Sequence, residues 1–245
     1  MSEWLFDLGN SRLKCAPLRD DGAPGEVQAL GHDEDRFVAA LDEVLPAHGG
    51  CAYVASVASP TLTVAVLDAL SARFDRISVA RTQPRLAGVR IAYAQPAKLG
   101  VDRFLAMLAA HARGPSPWLI AGVGTALTID LLDGEGRHRG GRIAPSPTLM
   151  RRALHEAAAQ LPETGGAFGE FAADTEDALA SGCEGAALAL VERSLHEGER
   201  LLGARPRLLL HGGGADTLRG HLPQTVWEPS LVLHGLATWA KVGRG

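Results

Sequence analysis

The residues whose types and spacing could do chemistry fall in a few short stretches. In the first, Trp4-Leu5-Phe6-Asp7-Leu8-Gly9-Asn10-Ser11-Arg12-Leu13-Lys14, an apolar run ends in an acid, a Gly-Asn-Ser turn follows, and polar and apolar residues then alternate. This reads as strand, turn and strand. Backbone N–H groups of such a glycine turn can cradle a phosphate. A carboxylate at the strand end can hold a hydrated magnesium ion that bridges phosphate oxygens. The period of two sets Arg12 and Lys14 on one face and Leu13 and Cys15 on the other. A surface hairpin would use the same Gly-Asn turn, and the motif alone does not choose between the two readings.

The plan recurs at Trp118-Leu119-Ile120-Ala121-Gly122-Val123-Gly124-Thr125-Ala126-Leu127-Thr128-Ile129-Asp130: buried run, glycine turn with a hydroxyl beside it, alternating strand. Placing Gly124-Thr125 on Gly9-Asn10 makes Gly122 the counterpart of Asp7. Two such hairpins, one opening each half, point to two related domains closing on a nucleotide. A further stretch, Gly100-Val101-Asp102-Arg103, opens a helix whose apolar residues Phe104, Leu105, Leu108 and Ala109 recur at helical spacing. Asp102 in a first turn could be a plain capping acid. Beside Arg103 it could also present an acid and a guanidinium to a ligand.

The elements that must position these groups alternate. After the first hairpin come a third strand near Glu26 to Leu30, a helix from about Asp33 to Leu45, and a buried strand from Cys51 to Val57. Ser59-Pro60 caps a helix running to about Phe74, and Arg76 to Ala80 is another strand. Arg90 to Tyr93 is a brief extended piece. The second half repeats with strands around Gly124-Thr125, a strand from about Arg137 to Ile143, and a helix opened by Pro145-Ser146-Pro147. A glycine-rich stretch from Pro162 to Phe171 reads as mobile. Thr175 reads as the cap of a helix reaching about Leu202, with interruptions at Gly182 and Gly185. A strand from Arg207 to Leu210 and a helix from Leu231 to Val242 close the chain. The boundary falls at Gly114-Pro115-Ser116-Pro117, giving domains 1–115 and 116–245, each three antiparallel strands followed by helix and strand alternation.

With 245 residues and a formal net charge of -4, the chain can bury a sizeable core and lacks the basic run that tracks a nucleic-acid backbone. Arg137, Arg139, Arg142, Arg151 and Arg152 lie among acids and read as solvated surface. No stretch is apolar and long enough to span a bilayer, and the first apolar run, with Glu3 and Asp7, is no secretory signal. Cys15, Cys51 and Cys183 match neither a disulfide framework nor a zinc site, which fits a reducing cytoplasm. His211, before three glycines and without metal-ligand spacing, reads as a hydrogen-bonded loop residue beside a nucleotide base.

Taken together, these residues resemble the type III pantothenate kinases, a branch of the acetate and sugar kinase, Hsp70 and actin superfamily that includes the Bvg accessory factors. The family pattern Asp-x-Gly-Asn-Thr with a downstream basic residue is met by Asp7, Gly9, Asn10, Ser11 and Lys14, with serine for threonine. Gly-x-Asp-Arg is met by Gly100, Asp102 and Arg103, with Tyr93 before them. Gly-Thr-Ala-x-Thr-x-Asp is met by Gly124, Thr125, Ala126, Thr128 and Asp130, and Thr175 resembles the family's substrate threonine.

The resemblance implies an α/β fold of two tandem RNase H-like (actin-like ATPase) domains, each a mixed five-stranded sheet with flanking helices. It implies ATP-dependent phosphorylation of pantothenate to 4'-phosphopantothenate, the first step of coenzyme A synthesis. Asp7, Leu8, Gly9, Asn10, Ser11, Arg12, Leu13, Lys14 and Thr125 would hold ATP, with magnesium at Asp7 through water. Tyr93, Gly100, Val101, Asp102, Arg103 and Thr175 would hold pantothenate, and Asp102 would accept the proton of the attacking hydroxyl. A homodimer, with neither nucleic acid nor membrane as partner, is implied too. Two departures stand out. The acid that helps the family hold potassium or ammonium, two residues before Gly-Thr, is Gly122 here, and the family's Pro-Gly is Pro145-Ser146. The alternative is a catalytically weak homologue serving as a regulatory or accessory factor.

Overall fold

The acid-ending strand and its glycine turn form a hairpin. In the computed structural model, which describes residues 2–32 and 37–243, β1 (Glu3–Leu8) pairs antiparallel with β2 (Arg12–Leu18), and Asp7 stands opposite Lys14. The alternation read from the sequence decides what each face does. Leu13 and Cys15 are buried, while Arg12 is exposed. β3 (Gln28–Gly31) adds antiparallel to β2. The chain then continues through α1 (Phe37–Val44), β4 (Gly49–Ser56), α2 (Pro60–Ser71) and β5 (Phe74–Val79). β4 is parallel to β1 and β5 to β4, so the sheet order is β3-β2-β1-β4-β5. Residues 33–36, where the sequence places the start of α1, lie outside the described residues. Ser59 caps α2 by accepting from the Leu62 N–H at 3.3 Å, with Pro60 at the first helical position.

Phe6, Leu8, Leu13, Ala52 and Val54 face Phe37 and Leu41 of α1 and Val66 and Leu70 of α2. The other face of the sheet, which carries Asp7 and Lys14, is covered by two helices from distant parts of the chain. α3 (Val101–His111) follows a short hairpin of β6 (Arg85–Leu86) and β7 (Val89–Arg90) and is buried from Arg103 through Ala110. Those strands, two residues each, are too short to leave an alternating pattern.

The second unit repeats the plan. β8 (Trp118–Val123), β9 (Ala126–Leu132) and β10 (His138–Pro145) are antiparallel neighbours, followed by α4 (Pro147–Ala157) and α5 (Thr175–Leu202). β11 (Arg207–His211) runs parallel to β8. A one-turn α6 (Asp216–Arg219) leads to β12 (Val226–Trp227), parallel to β11. The order β10-β9-β8-β11-β12 reproduces that of the first sheet. Leu119, Ala121, Leu127 and Ile129 pack on Ala187, Leu188 and Val191 of α5.

Four expectations change. α5 is continuous over 28 residues, unbroken at Gly182 and Gly185, and its cap is Asp174, which accepts from the Asp177 N–H at 2.9 Å; Thr175 is the first helical residue. The glycine-rich 162–171 stretch is fastened to α5: the Ala167 N–H donates to Asp177 Oδ1 at 2.7 Å and the Gly169 N–H to Ser181 Oγ at 2.9 Å. Finally, the chain divides into Met1–Gly114 with Ser230–Gly245, and Pro115–Pro229. The last helix, α7 (Leu231–Val242), which the sequence places in the second domain, packs along α3 and over β1, β2 and β4 of the first unit.

The α3–α7 contact rests on Gly235, where a Cβ would run into the backbone carbonyl of Leu105. Even one methyl there must push two buried helices apart. Gly235→Ala is expected to lower unfolding stability by about 2–3 kcal/mol, measured as a shift in the urea midpoint at unchanged slope.

Candidate active site

In the first unit the strand-end acid, the basic residue and the helix-start acid share one corner. Asp7 and Lys14 are cross-strand partners on the face that α3 covers. The Asp7 carboxyl is pushed up to about 7, first by burial, second by the negative charge of Asp102, with Lys14 pulling it down. Burial lowers the pKa of Lys14, Asp7 raises it, and Arg12 lowers it further. The turn between the strands is closed by the Gly9 N–H donating to the Arg12 carbonyl at 3.0 Å. Asn10, Ser11 and Arg12 are exposed. Leu8 and Leu13 are fully buried and paired, so they anchor the turn in the core rather than offering side chains to a ligand.

Asp102 sits in the first turn of α3, whose cap, Gly100, makes no side-chain cap bond. The Asp102 carboxylate folds back over that end of the helix: a Cβ on Gly100 would stand 2.5 Å from Asp102 Oδ1. A glycine at 100 is thus what lets the acid lie there. Val101 is half-buried beside it. Arg103 is 6 % exposed, and a buried guanidinium demands partners. Its Nη1 donates to the Tyr93 hydroxyl at 3.4 Å, and its Cζ lies 6.0 Å from the centre of the Tyr93 ring. The Thr82 hydroxyl donates to the Leu99 carbonyl at 2.8 Å and ties down the segment entering α3.

In the second unit, Gly124 and Thr125 are exposed, and nothing lies within 4 Å of where a Gly124 Cβ would be. Neither strain nor packing calls for glycine there, and the open space above it is what close approach of a ligand needs. Ser146, which stands where the family has the glycine of Pro-Gly and which opens a helix in the sequence, also holds this turn. It is 2 % exposed, its Oγ donates to the Thr125 carbonyl at 3.0 Å, and it accepts from the Leu149 N–H at 3.2 Å as the cap of α4. Its signal in the sequence is the Ser-Pro pair that starts a helix. Asp130, the last residue of the Gly-Thr-Ala-x-Thr-x-Asp motif, is buried against His138, Oδ1 to Nε2 2.9 Å. Thr175 is exposed and lines a shallow hollow of about 530 Å³ with Leu161, Ala172, Ala173 and Asp174. His211 is not in the glycine loop that follows it: it ends β11, its ring over Gly122.

The type III pantothenate kinase family model matches residues 4–197. The chain belongs to the type III pantothenate kinases. A type III pantothenate kinase of Stenotrophomonas maltophilia (strain K279a) is 60% identical over 240 residues, covering 98% of each chain. Among solved structures, a conserved Campylobacter jejuni protein placed in the Baf family of transcriptional activators superposes with TM-score 0.67 at 20% identity, over 98% of each chain. A Listeria monocytogenes protein assigned as an N-acetylmannosamine kinase superposes with TM-score 0.53 at 14% identity, over 100% of each chain. At these identities the two structures speak for the fold alone. That fold is α/β, with two mixed five-stranded sheets and flanking helices, as the pantothenate kinase family resemblance implied.

Among the described residues no three of His, Cys, Asp and Glu converge as a metal cluster, and no helix is long and apolar enough to cross a membrane. Magnesium fits the first unit of this pantothenate kinase family member. A carboxyl whose proton affinity is raised by burial and by a second acid is a group that a hard cation stabilises in its ionised form.

The raised pKa has a sign that can be measured. The folded chain keeps the Asp7 proton up to about 7, whereas the ordinary value is 3.8. The folded state therefore binds more protons than the unfolded one between those values, and stability falls as pH rises through them. Without nucleotide and magnesium, Asp7→Asn is expected to melt higher than the unsubstituted chain at about pH 8. That gain should shrink towards about pH 4, where the Asp7 carboxyl is protonated when folded, as scanning calorimetry across pH would show.

Proposed function

We propose that the chain transfers the γ-phosphoryl group of ATP to the primary hydroxyl of pantothenate, with Asp102 as the group that receives the hydroxyl proton. Family membership supports the reaction. The observation that carries the residue assignment is the Asp102 carboxylate, folded over Gly100 at the start of a buried helix and close enough to Asp7 to raise its pKa. A helix N-terminus stabilises the ionised carboxylate and so lowers its basicity. In phosphoryl transfer through a loose transition state, orientation of the acceptor matters more than early deprotonation. Asp102, fixed on a rigid helix, aligns the hydroxyl and takes its proton late.

The remaining roles follow from charge and place. Lys14, next to Asp7, neutralises phosphoryl charge, and the exposed turn from Gly9 to Arg12, held by Leu8 and Leu13, receives the phosphates. In the second unit, Ser146 steadies Thr125, the residue that the family resemblance assigns to ATP. Arg103, held against Tyr93, presents a guanidinium to the pantothenate carboxylate. The backbone of Gly100 and Val101 belongs with this substrate-binding stretch of the first unit, and the family resemblance also assigns Thr175 to pantothenate. Asp7 would hold magnesium through water, and the ion would supply positive charge against the phosphates. A homodimer and a cytoplasmic location belong to the same reading and are supported by the resemblance.

Purified protein with ATP, magnesium and pantothenate is expected to form 4'-phosphopantothenate. Asp102→Asn should fold and bind both substrates while kcat falls by about 10²–10⁴-fold; near-normal kcat would remove Asp102 from this role. Arg103→Lys should raise KM for pantothenate by about tenfold, with kcat less affected, because a point charge replaces a planar fork. ATP binding without turnover under any condition would instead favour an accessory role.

A further inference from the structure

The two sheets share strand order and pairing sense, so their positions correspond one to one. Asp7 is the residue before the end of β1, opposite Lys14 on β2 and Ala55 on β4. Gly122 is the residue before the end of β8, opposite Thr128 on β9 and His211 on β11. Where the first unit sets a carboxylate, an ammonium and a methyl group, the second sets bare backbone, a hydroxyl and an imidazole. The space that a side chain at 122 would need is taken. A Cβ built on Gly122 would lie 2.7 Å from His211 Nε2, 2.9 Å from His211 Cε1 and 2.9 Å from Thr128 Oγ1. These are distances that packed carbon atoms do not reach. An acid at 122 would have to displace the His211 ring or the Thr128 hydroxyl, and with glycine there a hard monovalent cation has no anionic oxygen ligand from this position. The residues present do not fit the potassium or ammonium ion that the family resemblance implies at this place.

We propose that the His211 imidazole, rather than a carboxylate-bound potassium or ammonium ion, fills the strand-end corner of the second unit, and that turnover by this chain needs no monovalent cation there. The catalytic half of this statement rests on the pantothenate kinase reading; the packing and binding half does not.

Melting temperatures of the full chain would be compared in potassium chloride, ammonium chloride and tetramethylammonium chloride at equal ionic strength. They are expected to agree within about a degree, since a ligand that does not bind the folded state cannot stabilise it. Gly122→Asp should melt several degrees lower because the new side chain meets the ring. Adding His211→Ala to that variant should recover most of the loss, the signature of two coupled neighbours. A rise specific to potassium or ammonium in the unsubstituted chain, a Gly122→Asp variant as stable as the parent, or a double variant that recovers nothing would each overturn the proposal. In the kinase assay, turnover should differ by less than about twofold between potassium and tetramethylammonium, and activation of tenfold or more by potassium would overturn it. Lack of turnover in every salt would count against the kinase reading and leave the melting comparison to decide the rest.

Discussion

Two carboxyl groups held in one poorly solvated corner repel each other, and much of the first unit exists to keep them there. Asp7 is carried by the central strand of a five-stranded sheet and Asp102 by a helix buried along nearly its whole length, so neither can move away to relieve the repulsion. Lys14 offsets part of it, and the rest appears as a carboxyl that holds its proton towards neutral pH. An arrangement that is costly when empty gains most from a ligand bringing positive charge with it. Stability given up at a site is a usual mark of one built for binding rather than for folding.

The second unit uses the same frame for a different end. Its sheet repeats the order of the first, yet its corresponding corner holds neither acid nor amine. Duplication supplies the turn, the open glycine and the hydroxyl. The chemistry is then set by single residues: Ser146 under Thr125, and His211 over Gly122. Two copies of one sheet plan can thus carry different chemistry, because the frame fixes positions and leaves charge free to vary.

Most of this architecture could be read from the chain. The hairpins at Gly9 and Gly124 announce themselves through buried runs that end in glycine turns, and Ser59-Pro60 and Ser146-Pro147 mark helix starts by a mechanism that works locally. What escaped has a physical reason in each case. The β6–β7 hairpin and β12 are two residues per strand, below the length at which periodicity exists. Gly182 and Gly185 resemble breaks, but tertiary packing carries α5 through them. Asp174 and Thr175 are both good caps, and only geometry separates them. The place of His211 over Gly122 joins residues far apart in sequence that only strand pairing brings together. The partnership of α7 with α3 is likewise invisible locally, since an apolar helix stripe does not say which unit it will cover.

That partnership orders events during synthesis. Residues 115–229 form a unit whose own strands and helices are all made before α7, whereas the first unit lacks its covering helix until α7 emerges from the ribosome. The piece begun first is therefore finished last. Until then the apolar face of α3 that Gly235 will meet stands open, bearing Asp102 and Arg103 at its start. A chain without α7 would keep its second unit's own elements while leaving the acid-bearing corner without one wall, a form prone to aggregation and to removal by proteases.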